Sequence, residues 1–259
     1  MPMGLRWSRA ATTRSSMSTL TDDNLKSDKV SGCNACKSCP YSTSCASYLL
    51  DLMQPIPGLE FYDQWHRYRL HGEWLNHSVT QVLSHDMPPE KLAGIMRYKD
   101  GPDGWAARGN ACHKALETHL NGEGIIFDNR WAPWIDPLLD CDLFQGAEVI
   151  ALEYRLCDAK KSLGGSFDFL LRNADGKVVL GDLKTVSKKP AVKRREPATE
   201  QLGAYVSMLN DHHPMLPIDE CVTVVSGPGE CKVLNQDPDE CLGKWVDAWD
   251  FFTLTLEDW

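Results

Sequence analysis

No run of about 18 apolar residues occurs in this 259-residue chain, so the sequence offers no membrane-spanning helix. Basic charge is also short: 27 Lys and Arg against 36 Asp and Glu leave a formal net charge of −9. That excludes a general attraction to nucleic acid, and any basic surface has to be local. No internal repeat is visible, which excludes a repeat architecture. The start lacks an apolar core of signal-peptide length, so secretion is not expected. What remains is ordinary for a globular protein of one large domain, or one domain plus an appendage: 42% apolar and 24% charged residues.

The first 21 residues contain three arginines, many serines and threonines, and no acid. They read as part of a tail of no fixed structure spanning residues 1–30. An organelle (mitochondrial) transit peptide, or codons upstream of a true start at Met17, are the alternatives. The expected compartment is the cytoplasm. Ten cysteines are present, and six of them are scattered (Cys112, Cys141, Cys157, Cys221, Cys231, Cys241). In a reducing compartment these serve as small buried hydrophobes. The other four crowd into "CNACKSCPYSTSC" as Cys33, Cys36, Cys39 and Cys45. Their C-x2-C-x2-C-x5-C spacing suits thiolate ligation of Zn²⁺ or an iron–sulfur cluster, or else belongs to a thiol-rich segment without metal. Residues 31–65 are therefore set apart as a cysteine-rich N-terminal segment, followed by a main domain over 66–259.

Within the main domain, "HRYRLHGEWLNHSVTQVL" predicts a short hairpin about His71-Gly72 and a helix beginning near Ser78. "DMPPEKLAGIM" predicts a helix with Leu92, Ile95 and Met96 on one side. A longer helix is expected over Trp105–Leu120, stopped by "NGEG", then a short one in "WAPWIDPLLDCDLF". The β-rich part follows: a strand in "EVIALEYRL", a hairpin in "GSFDFLLRNADGKVVLGDLKT", a helix in "EPATEQLGAYVSMLN", and strands in "ECVTVVSG" and "ECKVLNQ". A last helix opens at Asp237-Pro238 and is expected to bury Leu242, Trp245, Val246, Trp249 and Phe252. The order predicts an α/β class with a mixed central sheet flanked by helices.

The stretch "VVLGDLKTVSKKP" carries the chemistry. Val178, Val179 and Leu180 belong in a core, yet the strand ends in Asp182 and Lys184, whose burial is costly unless paired. Positions two apart share a face. With a three-residue loop Ala174-Asp175-Gly176, and Gly176 left-handed, Asn173 pairs with Lys177 and Asp168 comes opposite Asp182. Two converging carboxylates repel, and a hard divalent cation such as Mg²⁺ removes the conflict. The lysine can then steady the charge that grows on a phosphate. That combination is the physical content of metal-assisted phosphodiester hydrolysis.

Two helical pairs flank these strands. His113 and Glu117 share a face of the Trp105–Leu120 helix, and Gln201 and Tyr205 share a face of the next. Taken together, "GNACHKALE", "GGSFDFLL", "GDLKT" and "QLGAYVSML" resemble the PD-(D/E)XK nuclease superfamily in its RecB-like exonuclease branch. "NHSVTQVLS" is similar to a feature of some phage and mitochondrial relatives. The resemblance covers about residues 66–256. It implies a restriction-endonuclease-like core with a cysteine-rich N-terminal appendage. It implies His113, Asp168 and Asp182 as ligands of Mg²⁺ or Mn²⁺, with the Leu183 carbonyl as a further oxygen, and Lys184 as the catalytic lysine. Gln201 and Tyr205 would orient that lysine and contact phosphate. Glu117 would support a second ion or the helix geometry, and Glu153 has a supporting role only. The activity implied is divalent-metal-dependent hydrolysis of DNA, as an exonuclease on single strands or duplex ends in repair, recombination or phage DNA processing, with a helicase or recombination protein as a partner. Some relatives carry an iron–sulfur cluster, but with ligands straddling the core, whereas all four cysteines here precede it.

One local feature agrees. Six bases and no acid lie between Lys184 and Arg195. Lys188, Lys189, Lys193, Arg194 and Arg195 are expected to form a flexible loop that neutralises backbone phosphates. Two other readings stand beside the nuclease: a non-catalytic nucleic-acid-binding protein that keeps the fold, and a Zn or iron–sulfur module in which the cysteines are the working part.

Overall fold

The computed structural model describes residues 53–101 and 103–257. Cys33, Cys36, Cys39, Cys45 and the tail over 1–30 lie outside the described residues. In chain order the elements are β1 (Leu59–Tyr62), β2 (Arg67–Leu70), β3 (Glu73–Trp74), β4 (His77–Ser78), α1 (Val79–Leu83), α2 (Pro89–Arg97), α3 (Trp105–Leu120), α4 (Ala132–Leu139), β5 (Glu148–Asp158), β6 (Leu163–Arg172), β7 (Val178–Thr185), α5 (Lys189–Arg194), α6 (Thr199–His212), β8 (Glu220–Gly227), β9 (Glu230–Gln236) and α7 (Pro238–Glu257).

Local chemistry sets several boundaries. The Ser78 hydroxyl accepts the Gln81 N–H at 3.2 Å and caps α1, satisfying an otherwise orphaned donor. Pro89 opens α2, where its missing N–H costs nothing. Gly122, left-handed at φ 70, follows the end of α3.

The elements make two sheets. β1, β2 and β3 form a small antiparallel sheet, whose first strand lies in the segment assigned to the cysteine-rich part. The main sheet is mixed. β5 runs antiparallel along β6, β7 runs antiparallel to β6, β8 is parallel to β7, and β9 is antiparallel to β8. β4 pairs in parallel with the first residues of β6. Helices cover both faces, which is why β7 and β8 read as nearly continuous apolar runs. On one face α1, α6 and α7 bury Val79, Leu202, Met208 and Trp245 against Phe167, Leu170 and Leu180. On the other, α3 and α4 bury Cys112, Leu116, Ile135 and Leu138 against Phe169, Leu171, Leu183 and Val224. Helices α6 and α7 cross so closely at Gly203 that a Cβ there would collide with the Cys241 carbonyl.

Two expectations need correction. Residues 189–194 of the basic segment form the short helix α5, because Val192 is fully buried, packs near Gly227 and anchors the turn. Val246 of α7 is exposed: Cys241, Trp245 and Phe252 take the core-facing row instead. Leu92, Ile95 and Met96 do share one side of α2, but that side is exposed among the described residues.

The β6–β7 hairpin holds the expected register. Arg172 opposes Val178, Leu171 opposes Val179, and the ladder runs on to Phe169 opposite Gly181. Asn173 N–H bonds the Lys177 carbonyl and Gly176 is left-handed at φ 81. Beyond Phe169–Gly181 the ladder stops. Residues 182–185 keep only the β8 pairing that begins at Val179, and β6 keeps only its pairing with β5. The strands part where Asp168 and Asp182 would be the next opposed pair.

Candidate metal centre and lysine relay

Two groups of side chains gather where β6 and β7 separate. The first joins three elements: His113 from α3, Glu153 from β5 and Asp168 from β6. His113 Nδ1 lies 3.3 Å from Asp168 Oδ1 and 3.6 Å from Glu153 Oε1. One ligand atom from each of the three lies within 4.8 Å of the others, so the triad could hold a metal ion. Asp168 is fixed from behind by the Leu183 N–H, which donates to Oδ2 at 2.5 Å. Burial opposes charge on both His113 and Asp168. Their mutual attraction wins, pushing the imidazole up to about 10 and the carboxyl below its usual range. The resulting imidazolium neutralises a site that two carboxylates would otherwise make repulsive.

Glu153 has φ 46, the left-handed region that costs a non-glycine residue about 1–3 kcal/mol. The β5–β6 ladder pairs Leu152 with Phe169 and Tyr154 with Phe167, with Glu153 and Asp168 between them. The kink accompanies a carboxylate beside His113, where a regular strand would continue its alternation. Glu153, expected only in support, thus stands in the cluster. Asp182, expected as a ligand, stands outside it.

Asp182 belongs to the second group. Its side chain is 2% exposed, and Oδ2 lies 2.8 Å from Lys184 Nζ. The contact is an ion pair, and this buried oxygen accepts no conventional hydrogen bond. Lys184 Nζ donates to Gln201 Oε1 at 2.8 Å, and Gln201 Nε2 donates to the Tyr205 hydroxyl at 2.8 Å. The four form one relay, Asp182–Lys184–Gln201–Tyr205, from β7 to α6. Burial and the nearby Asp168 charge raise the Asp182 carboxyl, although Lys184 and His113 draw it down. Burial and the Asp182 charge raise the Tyr205 phenol well above its normal value.

Glu117 does not join either group. It is held by Lys114, whose Nζ lies 2.8 Å from Oε2. Lys188, Lys189, Lys193, Arg194 and Arg195 are all exposed on or beside α5 and make no ion pair among the described residues.

Sequence reasoning missed Arg108, five residues before His113 on α3. It is 5% exposed, donates from Nε to Thr185 Oγ1 at 3.4 Å, and lies 5.5 Å over the Trp134 ring. Burial lowers its pKa. It lines a cavity of about 250 Å³ with Trp131, Trp134 and Ser187, where the chain leaves β7. A charged residue amid an apolar helix face was the available signal.

The donor set fits a divalent cation. Two carboxylates and an imidazole converge, and the Asp182 oxygen beside them is short of a partner. Such a mixed set suits Mn²⁺ as well as Mg²⁺.

No protein-family model matches the chain, and no curated protein sequence matches it. Among solved structures it is similar to the protein in the crystal structure of SSO0001, at 17% identity and a TM-score of 0.35, over 68% of this chain and 76% of that one. A likeness of that size carries no argument about the site. No helix among the described residues is long and apolar enough to cross a membrane.

Proposed function

We propose that the protein is a divalent-metal-dependent deoxyribonuclease of the PD-(D/E)XK type, an exonuclease acting on single strands or duplex ends. One observation carries the reading: a carboxylate–imidazole cluster fit for a cation stands beside an amine locked between Asp182 and Gln201. Phosphodiester hydrolysis needs that juxtaposition.

His113, Glu153 and Asp168 would hold Mg²⁺ or Mn²⁺, with Asp182 able to supply a further oxygen. Such an ion supplies Lewis acidity and a water of lowered pKa. The rest falls to the chain. Lys184 presents its ammonium to a non-bridging phosphate oxygen and steadies the charge as water attacks phosphorus and the P–O bond to the leaving sugar oxygen breaks. Gln201 keeps that ammonium aimed, and Tyr205 fixes the Gln201 amide so that its oxygen faces the lysine. The attacking water loses a proton to solvent and the leaving oxygen gains one, yielding a phosphomonoester and a hydroxyl. The exposed bases of α5 neutralise backbone phosphates next to the site, which makes binding salt-dependent.

The test is incubation of end-labelled linear and circular, single- and double-stranded DNA with and without Mg²⁺ or Mn²⁺. Divalent-dependent loss of linear substrate, with circles spared, is expected. Cleavage that survives in both Asp182→Ala and Lys184→Ala would overturn the reading. Salt-sensitive binding with no turnover under any divalent ion would favour the non-catalytic alternative.

A further inference from the structure

The small sheet β1–β3 carries an aromatic surface that the catalytic reading does not use. Tyr62, Trp65 and Trp74 form one cluster: Tyr62 lies stacked 5.9 Å from Trp65 and 5.0 Å from Trp74, and the two indoles meet edge-on at 5.8 Å. Packing has not hidden them. Trp65 is 56% exposed and Trp74 38%. Two guanidiniums flank Trp74, Arg67 at 4.8 Å from the ring centroid and Arg69 at 5.9 Å. A hydrophobic core would bury indoles of this size, so their exposure in a cluster has to be accounted for.

The cluster opens onto a groove of about 520 Å³, shared with the start of α1. Trp65, His66, Arg67, Asn76, Ser78 and Gln81 are among its lining residues, and no carboxylate lines it. In a chain of net charge −9, a groove offering one guanidinium, one imidazole, amides, hydroxyls and a free indole face is selective in a definite way. It has a flat π surface for a planar ring, a cation for an anion, and donors and acceptors for ring edges. An apolar peptide would find few apolar walls, and a basic peptide would find no acid.

The surface is joined rigidly to the candidate metal centre. The Tyr68 side chain of β2 is buried against Gly164 and its hydroxyl lies 3.1 Å from Ser166 Oγ. Ser166 is two residues before Asp168 on β6. β4, just before α1, pairs with Leu163 and Gly164 of the same strand. From Gly164 to Asp168 the strand rises only about 13 Å, so groove and centre sit within one short nucleic-acid segment.

We propose that β1–β3 and the start of α1 form a single-strand binding platform. An unpaired base stacks on Trp65, and Arg67 contacts the adjoining phosphate, upstream or downstream of the strand held at the metal centre. The proposal rests on the nuclease reading for its choice of ligand, but binding can be measured without cleavage. Duplex DNA presents no unstacked base, so the platform favours unpaired strands.

The experiment is fluorescence anisotropy of a labelled oligothymidylate with the full-length protein in EDTA, where divalent-dependent cleavage is off. Trp65→Ala is expected to weaken binding about 5- to 140-fold, the loss of one stacked base. Trp65→Phe keeps a ring and should retain most of the affinity. Arg67→Glu should weaken binding and flatten its salt dependence by about one phosphate contact. Affinity for a blunt duplex of the same length should move far less. Unchanged oligothymidylate affinity in Trp65→Ala and Arg67→Glu, both verified as folded by thermal melts, would overturn the platform and assign the surface to a protein contact. That result leaves the nuclease reading intact if Mg²⁺-dependent cleavage persists. Failure of the nuclease reading would instead appear as binding that depends on Trp65 without cleavage in any divalent ion.

Discussion

The two halves of the site are built on opposite principles. The Asp182–Lys184–Gln201–Tyr205 relay is internally paired: the ammonium has a carboxylate and an amide oxygen, and the amide has a phenol. It can be rigid with no ligand. The His113–Glu153–Asp168 cluster gathers one imidazole and two carboxylates and includes a backbone in the left-handed region. The fold holds the lysine, amide and phenol in place and leaves one Asp182 oxygen open, whereas the other half is completed by a cation. A site divided in this way keeps its charge-stabilising amine in place and lets the metal come and go.

The division has a sharp consequence for mutants. Lys184→Ala should lower kcat by about 10²–10³-fold, as loss of a preorganised charge stabiliser does, while Mn²⁺ affinity measured by calorimetry stays near that of the parent. Asp168→Ala should abolish both. If Lys184→Ala weakened Mn²⁺ binding as much as Asp168→Ala, relay and cluster would be one unit.

Gln201→Ala probes the relay alone. Removing a hydrogen bond to a charged group costs about 1.5–3 kcal/mol, so single-turnover cleavage should slow by about 10- to 150-fold with no change in Mn²⁺ affinity. Tyr205→Phe leaves Gln201 in place and should cost about fivefold, the worth of one neutral hydrogen bond. Equal losses in the two would show that Tyr205 does more than steady the amide.

Glu153→Gly separates function from stability by sign. Glycine relieves about 1–3 kcal/mol of left-handed strain and costs about 0.5–1 kcal/mol in strand entropy. Tm in EDTA should therefore rise, by about 2–4 °C for each net kcal/mol, while Mn²⁺ affinity falls. A fall in both would mean that the kink is stabilised by contacts of its own and holds no strain for function.

How legible these halves were in the sequence follows from the same contrast. The relay rests on local periodicities: Asp182 and Lys184 two apart on a strand, Gln201 and Tyr205 four apart on a helix. The turn residue Gly176 set the hairpin register, which the ladder bears out. These are short-range signals. Glu153 depends on one backbone angle in a strand that reads as regular, and no side-chain pattern announces a left-handed residue there. Arg108 depends on packing between α3, Thr185 and Trp134, residues 77 and 26 positions away, and no local rule connects them. The basic segment was legible as charge and illegible as a helix, because its single anchor, Val192, meets Gly227 only in the folded chain.

The smallest expected effect lies outside the site. Asp158, at the end of β5, accepts the Lys160 and Lys161 N–H groups at 2.9 and 3.0 Å, and its Oδ2 pairs with Lys161 Nζ at 2.7 Å. Burial opposes its charge, but these partners prevail and hold the carboxyl below its usual range. A depressed folded pKa contributes stability that is present above the unfolded value, about 3.9. It is lost as pH falls through the folded value. Asp158→Asn should therefore lower Tm modestly at pH 7, and the gap from the parent should close below about pH 4. Because this pair is complete without a ligand, the gap should be the same in Mn²⁺ and in EDTA. Glu153→Gly behaves oppositely, since its gap from the parent depends on which of the two is present. If Mn²⁺ changed the Asp158→Asn gap, the turn between β5 and β6 would be coupled to the cluster through the Glu153 kink, and the boundary between the self-sufficient and the cation-completed regions would have to be moved to include it.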